Sequence, residues 1–386
     1  MSADAERLAR DVAAAAEGEL ELLLDDLRAW VNHDSPTFDI TRVDALAGML
    51  AERCAAYGLQ TELIDVGDNG RYLHAWLTGS GGARVALLCH HDTVFPAGTA
   101  AAWPFSRDQQ NVYGPGVCDM KGGIAVALHA MRLLVAGPRP FARLELISVP
   151  DEEEREGPPL TLDRLEGFDA VLCMECGRES HAIVSSRKAG RWLRLNARGK
   201  AAHAGVAPED GRNALTAMLT EAVRIAGLDH ARPGMTAEPT VLRAGDSLNT
   251  VPDHASLTVD LRALTEADLE WALETMKDVG EYPGVEFSSE LIGWTPPMER
   301  TPAVAALAGA AIAFSEALGL PGGEESTGGV SDGSWAAGLG LPTLDGMGPT
   351  GGRDHTAEEY AVTGTFAVRC GIIAGLVATI DNGAWR

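Results

Sequence analysis

The sequence predicts an α/β protein: a mostly parallel sheet with both faces covered, interrupted by an inserted α+β domain. Three observations lead there. Near-continuous apolar runs such as "RVALLC" and "LELIS" alternate with helix-spaced segments, as strands buried on both faces do. From about residue 188 the texture changes to half-exposed alternation such as "RWLRLNARG". Past "GWTPPMER", whose two prolines read as a connector, the first texture resumes.

Taken in order, Leu20, Leu23, Leu24, Leu27 and Val31 recur at helical spacing until "HDSP" stops the pattern. A second helix is expected over 42–57. "YLHAWLTG" and "RVALLCHHD" read as strands, then "GGIAVALHAMRLLVAG" as a helix closed by Gly137 and Pro138. "ARLELISVP" and "DAVLCMEC" are further strands, the second carrying Glu175. In the insertion, "RWLRLNARG" is followed by a helix over 211–227 and strands near 238–245 and 255–263. A helix over 265–278 and a strand over 284–291 complete a βαββαβ, ferredoxin-like unit. The expected scheme is a discontinuous domain of 1–187 and 294–386, with 188–293 inserted.

Length and charge bound the function. With 386 residues, 46% of them hydrophobic, two or three domains have ample core. The net charge of −24, from 31 Lys+Arg against 55 Asp+Glu, argues against binding nucleic acid, which requires a basic face. The same balance disfavours adsorption to anionic membranes. No stretch approaches the ~20 uninterrupted apolar residues that span a bilayer. The N-terminus is studded with acids and lacks a basic start before an apolar block, so no signal peptide is expected. Six cysteines in a chain this long form no disulfide framework, and Cys173-x-x-Cys176 lacks the second CxxC of a structural zinc site. A reducing, cytoplasmic home is expected.

The chemistry concentrates at strand ends. In "CHHD", His90 and Asp92 project to one side of a strand and His91 to the other. Open α/β sheets carry their chemistry at the carboxyl ends of strands. A metal-binding histidine commonly gives its second ring N–H to a carboxylate, which Asp92 could accept. Asp119 sits among glycines in "GPGVCDMKGG" at a helix start, where an N-cap is the ordinary reading. "VPDEEE" follows an apolar strand, Glu175 lies in an apolar run, and His355 follows the glycine-rich "GPTGG". Each residue alone has a structural reading. Together, two histidines and three carboxylates are the set that holds two zinc ions sharing one carboxylate, with a further glutamate as base.

These motifs, with "GKAAHAG", "NTVPDHASLTVDLRA" and "TLDGMGPTGGRDHTAEEY", resemble the M20 family of zinc peptidases and deacylases, specifically its carboxypeptidase G2-like (glutamate carboxypeptidase) branch. The resemblance runs from "LRAWVNHDSPT" to the C-terminal helix. It implies two Zn2+ per subunit, although Co2+ or Mn2+ also suits carboxylate-rich sites. Asp119 would bridge the metals, with His90 and Glu175 on one and Glu153 and His355 on the other. Asp92 would orient His90, and Glu152 would be the general base. The resemblance also implies a cis peptide between Asp119 and Met120.

The insertion would be a lid and dimerisation domain, with His203 reaching the partner subunit's site in a homodimer. Arg262 and Asn249 would hold the substrate carboxylate. The implied reaction is hydrolysis of the amide bond to a C-terminal or N-acylated amino acid. A deacylase resembling acetylornithine deacetylase or succinyl-diaminopimelate desuccinylase stands as the alternative. Other classes to weigh are a catalytically silent binder of metal or ligand and a CxxC-based redox protein. Two departures stand out. The family often approaches its last histidine through small uncharged residues, where this chain has Arg353-Asp354, and Cys176 directly follows Glu175.

Overall fold

The computed structural model describes residues 2–155, 157–160 and 162–381. The chain divides into two units. One comprises 1–186, 300–326 and 331–386, and the other 187–299 with 327–330.

The first unit is built on a six-stranded sheet in the order Gln60–Asp65, Arg71–Thr78, Arg143–Val149, Arg84–His90, Ala170–Cys173, Thr343–Leu344. The last four run parallel and the first two pair antiparallel, so the fold is mixed α/β with a mostly parallel centre. Apolar continuity has its expected cause: every residue of Arg84–His90 after Arg84 is buried. The edge strand Gln60–Asp65, not anticipated in the sequence, contains no fully buried residue.

Helix Lys121–Val135 is buried along nearly its whole length, with Ile124, Leu128 and Met131 in the main core. The helix Phe366–Asp381 packs beside it. The stretch Thr363–Ile380 is long and apolar enough to cross a membrane, but 83% of it is buried inside this unit, as in a core helix. Two glycines let neighbours approach this helix. A Cβ on Gly375 would lie 2.6 Å from the Phe314 ring, and one on Gly371 2.6 Å from the Ala9 carbonyl. Ala9 belongs to a helix unforeseen in the sequence, Ala3–Gly18, capped by the Ser2 hydroxyl and buried through Ala5, Leu8, Ala9, Val12 and Ala16.

The second unit is a four-stranded antiparallel sheet in the order Thr236–Ala244, His254–Ala263, Ala189–Arg198, Glu286–Thr295. Helices Ala214–Ala226 and Glu266–Lys277 complete the βαββαβ order. Strand His254–Ala263 alternates strictly, turning Ala255, Leu257, Val259, Leu261 and Ala263 toward Met218, Ile225, Leu269 and Met276. Asn213 and Thr265 cap the two helices, accepting from the N–H groups of Thr216 and Asp268. The last strand continues through an irregularity at Leu291/Gly293 to Thr295, beyond the 291 expected from alternation alone.

Candidate active site

Three adjacent parallel strands deliver the chemistry to one edge of the sheet. Arg84–His90 ends on His90, which is level with Val149 of its neighbour, and Leu88 is level with Cys173 on the other side. The residues just past those ends are Asp151-Glu152-Glu153 and Met174-Glu175. The expectation that Glu175 lies within the strand is corrected: the strand is Ala170–Cys173, Met174 donates its N–H to the Leu88 carbonyl at 2.9 Å, and the Glu175 carbonyl accepts instead from Gly348, outside that ladder. Asp119 arrives from the turn before helix Lys121–Val135, and the Asp119–Met120 peptide is cis. His355 comes from a loop in which it and Arg353 take left-handed φ of 61°.

These segments assemble two groups that could each hold a metal ion and that share Asp119. His90 Nε2 lies 3.1 Å from Asp119 Oδ1 and 3.8 Å from Glu175 Oε1. His355 Nε2 lies 3.2 Å from both Asp119 Oδ2 and Glu153 Oε2. One carboxylate thus offers one oxygen to each group. Asp92 Oδ1 is 3.3 Å from His90 Nδ1, so the ring is addressed from both nitrogens. Asp92 also accepts the N–H groups of Glu152 at 3.2 Å and Glu153 at 3.1 Å, and the Thr37 hydroxyl at 2.7 Å. It therefore fixes the histidine and the two-glutamate turn together. His91 turns the other way, to Ser148 Oγ at 2.9 Å, and burial holds its pKa down at about 3.

The electrostatics are those of a cage for positive charge. Burial, reinforced by Asp119, pushes Glu175 up to about 8. Burial also drives Glu152 well above the usual carboxylate range. Burial works against a charged His90, but the surrounding carboxylates outweigh it and hold the ring's pKa well above its ordinary value. Hydrogen bonds to Asp119 and Glu153 lift His355 to about 11. Glu153 Oε1 is buried with no hydrogen-bond partner among the described residues. Two imidazoles and three carboxylates in this arrangement fit a pair of divalent ions of the zinc class, and a cation would satisfy that orphaned oxygen.

Three neighbours carry no sequence signal. Glu359, fully buried, accepts N–H groups from Gly116 at 3.0 Å, Cys118 at 2.7 Å and Asp119 at 2.9 Å, so it holds the turn that presents Asp119. Lys121, also buried, reaches the His33 carbonyl at 2.9 Å. Asp332 joins buried Asp151 through Arg155, which removes Asp151 of the acidic run from the metal-facing set. The expectation of unpaired cysteines is also corrected: Cys118 and Cys176 are joined by a disulfide across a sequence separation of 58. No CxxC spacing reveals that pairing, because the turn and the strand end meet only in the fold.

In the second unit, the exposed His203 and Asn249 stand side by side: Ala204 N–H donates to the Asn249 carbonyl at 2.8 Å, and His203 bridges to Thr250. Arg262 grips Asp260 with Nε at 2.9 Å and Nη2 at 3.1 Å, and gives Nη1 to the Gly328 carbonyl.

The description "Peptidase family M20/M25/M40" matches residues 86–379. Carboxypeptidase G2 of Pseudomonas sp. (strain RS-16) is 29% identical over 96% of this chain and 92% of its own. A succinyl-diaminopimelate desuccinylase of Alkalilimnicola ehrlichii is 28% identical over 83% and 90%. Among solved structures, a dinuclear metal binding peptidase from the M20 family of Bacillus subtilis superposes with a TM-score of 0.73 at 17% identity, covering 95% of this chain and 99% of the other. Aminopeptidase PepT from Bacillus cereus gives 0.79 at 21% identity, covering 94% and 98%. With the site geometry, these matches show that the chain belongs to peptidase family M20/M25/M40 and is a metal-dependent amide hydrolase of the M20 metallopeptidase type.

Proposed function

We propose that the protein hydrolyses the amide bond to a C-terminal or N-acylated amino acid with a free carboxylate, in the manner of its carboxypeptidase G2 relative. The observation that carries this is Asp119 placed between two histidines, with one oxygen toward each, and Glu152 next to the site but outside both ligand groups. In this reading His90, Glu175 and Asp119 hold one Zn2+, and Glu153, His355 and Asp119 the other. When bound, such a pair supplies Lewis-acid polarisation and a water acidified to near neutrality. Glu152 is then placed to act as the base, since a buried carboxyl raised above its ordinary range takes a proton near neutral pH and can return it to the leaving amine. Asp92 keeps His90 in its ligating tautomer and the Glu152-Glu153 turn in place.

His203 is assigned to polarise the scissile carbonyl, and Asn249 and Arg262 to hold the substrate carboxylate, a role that suits a guanidinium fork. For His203 to act on a partner's site the protein must be a homodimer. Exposed apolar residues on the second unit support one: Leu219 and Val223 one turn apart on a helix, and Val241 and Leu242 on an edge strand. A cytoplasmic location belongs to the same proposal.

The desuccinylase relative supports a second reading, in which an N-acyl group rather than a C-terminal residue is recognised. Both are separated from a silent metal binder by one experiment. The zinc-loaded protein is incubated with a panel of dipeptides, N-acyl glutamates and N-acetyl amino acids, before and after chelation, and products are read by mass spectrometry. Chelator-sensitive release of one amino acid class is expected. Release only from substrates with a basic amine side chain would favour the deacylase, and no release at all would overturn hydrolysis of these classes.

A further inference from the structure

The two departures from the family pattern meet at one place. Cys176, which follows Glu175, and Asp354, which precedes His355, converge with Cys118 so that one ligand atom from each lies within 4.8 Å of the others. The three come from separate segments: the turn before helix Lys121–Val135, the loop after strand Ala170–Cys173, and the loop after Gly351–Gly352. Both cysteines are buried, at 0% and 6% exposure. Gly351 packs directly on Cys118 Sγ and leaves no room there for a Cβ, so the sulfur occupies a fitted space. Asp354 is itself partly exposed, but its Oδ1 is shielded from solvent and has no hydrogen-bond partner among the described residues. A carboxylate oxygen left this way costs free energy unless a donor or a cation meets it.

We propose that Cys118, Cys176 and Asp354 form a redox-gated cation site beside the two groups centred on Asp119. As thiolates, the two sulfurs bind a thiophilic divalent cation of the zinc class together with the Asp354 carboxylate, and their disulfide closes the site. Two sulfurs and one oxygen are within zinc's ligand range, and three protein donors leave a fourth position open for exchange. The Cα atoms lie 5.2 Å apart, inside the span of roughly 4.4–6.8 Å that a disulfide accepts, so the pair can be covalently closed or opened to two ligands. The interconversion is a two-electron step. A phosphine with one water breaks the S–S bond and becomes the phosphine oxide, and the sulfurs take the two protons. Cation binding then releases those protons, and glutathione disulfide reverses the step by accepting two electrons from the sulfurs. The proposal does not depend on the hydrolytic reading, because neither group around Asp119 contains sulfur.

The test loads Co2+ into the full-length protein, once after phosphine reduction and removal of the phosphine, and once after oxidation with glutathione disulfide. Reduced protein is expected to show thiolate-to-cobalt charge transfer in the near ultraviolet and to retain one more equivalent of Zn2+ by elemental analysis. Oxidised protein should show neither. The double variant Cys118→Ser, Cys176→Ser should match the oxidised protein under both conditions. Asp354→Asn should keep the band but weaken the affinity by more than about tenfold, the lower bound of what partners outside the ligand shell contribute. An absent band with equal zinc in both states overturns the site, as does a band that survives the double variant. A pair that never closes, or that never opens even when refolded from reduced chain, overturns the gating. Unchanged affinity in Asp354→Asn overturns the role of that carboxylate.

Discussion

Glu359→Ala tests whether Asp119, the proposed bridging aspartate, depends on a residue that touches none of the proposed ligand side chains. Glu359 is fully buried and accepts three backbone N–H groups, from Gly116, Cys118 and Asp119. Alanine is the informative substitution because it removes the acceptor in either protonation state, and burial pushes this carboxyl up to about 8. A buried donor left unsatisfied costs about 1–3 kcal/mol, so three would cost about 3–9 kcal/mol if the space stayed dry. Water entering the vacated volume meets part of that need, which places the expected loss near the lower end, at about 3–5 kcal/mol. The metal consequence is separate. Outer partners that orient ligands are worth about 10–100-fold in metal affinity, and Glu359 fixes the N–H of Asp119 itself. Urea unfolding of the metal-free variant reads the first quantity, and competition with a chromophoric chelator reads the second. Should alanine unfold the chain, Glu359→Gln keeps one acceptor oxygen for Cys118 and Asp119 and is expected to fall between the extremes. A folded Glu359→Ala protein with wild-type metal affinity would refute the reasoning.

The other expectations concern the proposed base, the partner subunit and the acid limit of stability. Glu152→Gln should keep both metals by elemental analysis and lose at least about 100-fold in kcat; wild-type turnover would remove Glu152 as the base. His203→Ala should cost about 100- to 1,000-fold in kcat, the worth of one oxyanion donor, and a stable monomer with full activity, measured by light scattering and assay together, would exclude action across subunits. Asp26 is buried, which by itself raises its pKa, but hydrogen bonds from His129 and Tyr57 and the charge of Arg53 outweigh burial and hold it below the ordinary carboxylate value. Its stabilisation is therefore complete above an unfolded value of about 3.9 and is lost as pH falls through the lower folded value. Denaturation midpoints for Asp26→Asn should accordingly fall less steeply than wild type below about pH 4; equal slopes would exclude this carboxylate as the source.

Strands that are buried on both faces announce themselves, because most of their residues must be apolar and the buried polar exceptions must be paired: Arg84–His90 and Arg143–Val149 were legible for that reason, with Glu145 and Ser148 hydrogen-bonded to His74 and His91. Amphipathic elements with a full-sized apolar face were legible as well, such as His254–Ala263. Helix Ala3–Gly18 was not, although its buried positions keep helical spacing. Most of them are alanines, which carry little hydrophobic contrast against the acids between them. The short ladder Gly351–Gly352, Tyr360–Val362, Asn111–Tyr113, Ser106–Arg107 was also hidden. Two of its strand positions are glycine, and the pairing of Tyr360–Val362 with Asn111–Tyr113, which joins its two halves, brings together segments more than 200 residues apart, for which no local pattern exists.

The site shows the same division more sharply. The residue types His90, Asp119, Glu153, Glu175 and His355 stand out locally because each is polar at a strand end or in a glycine-bounded loop, but their grouping followed from resemblance to a family. Nothing local separates Glu359 from its neighbour Glu358. One is fully buried under the Asp119 turn, and the other pairs with Arg353 at the surface. Likewise, the CxxC spacing draws attention to Cys173 and Cys176, which pack in different clusters. Cys173 lies with Ala86 and Ile147 on one side of the sheet, while Cys176 joins the main core. The partner of Cys176 is Cys118, reached because the strand stops at Cys173 and the chain turns toward the Asp119 loop. What sequence spacing reports is which face of an element a side chain takes. Which two elements meet is decided by packing, and the groups that support a ligand from behind, unlike the ligands, have no required residue type at a strand end to mark them. In an M20 chain the positions most worth mutating for metal affinity are therefore those, such as Glu359, that grip the backbone of a proposed ligand from a distant segment.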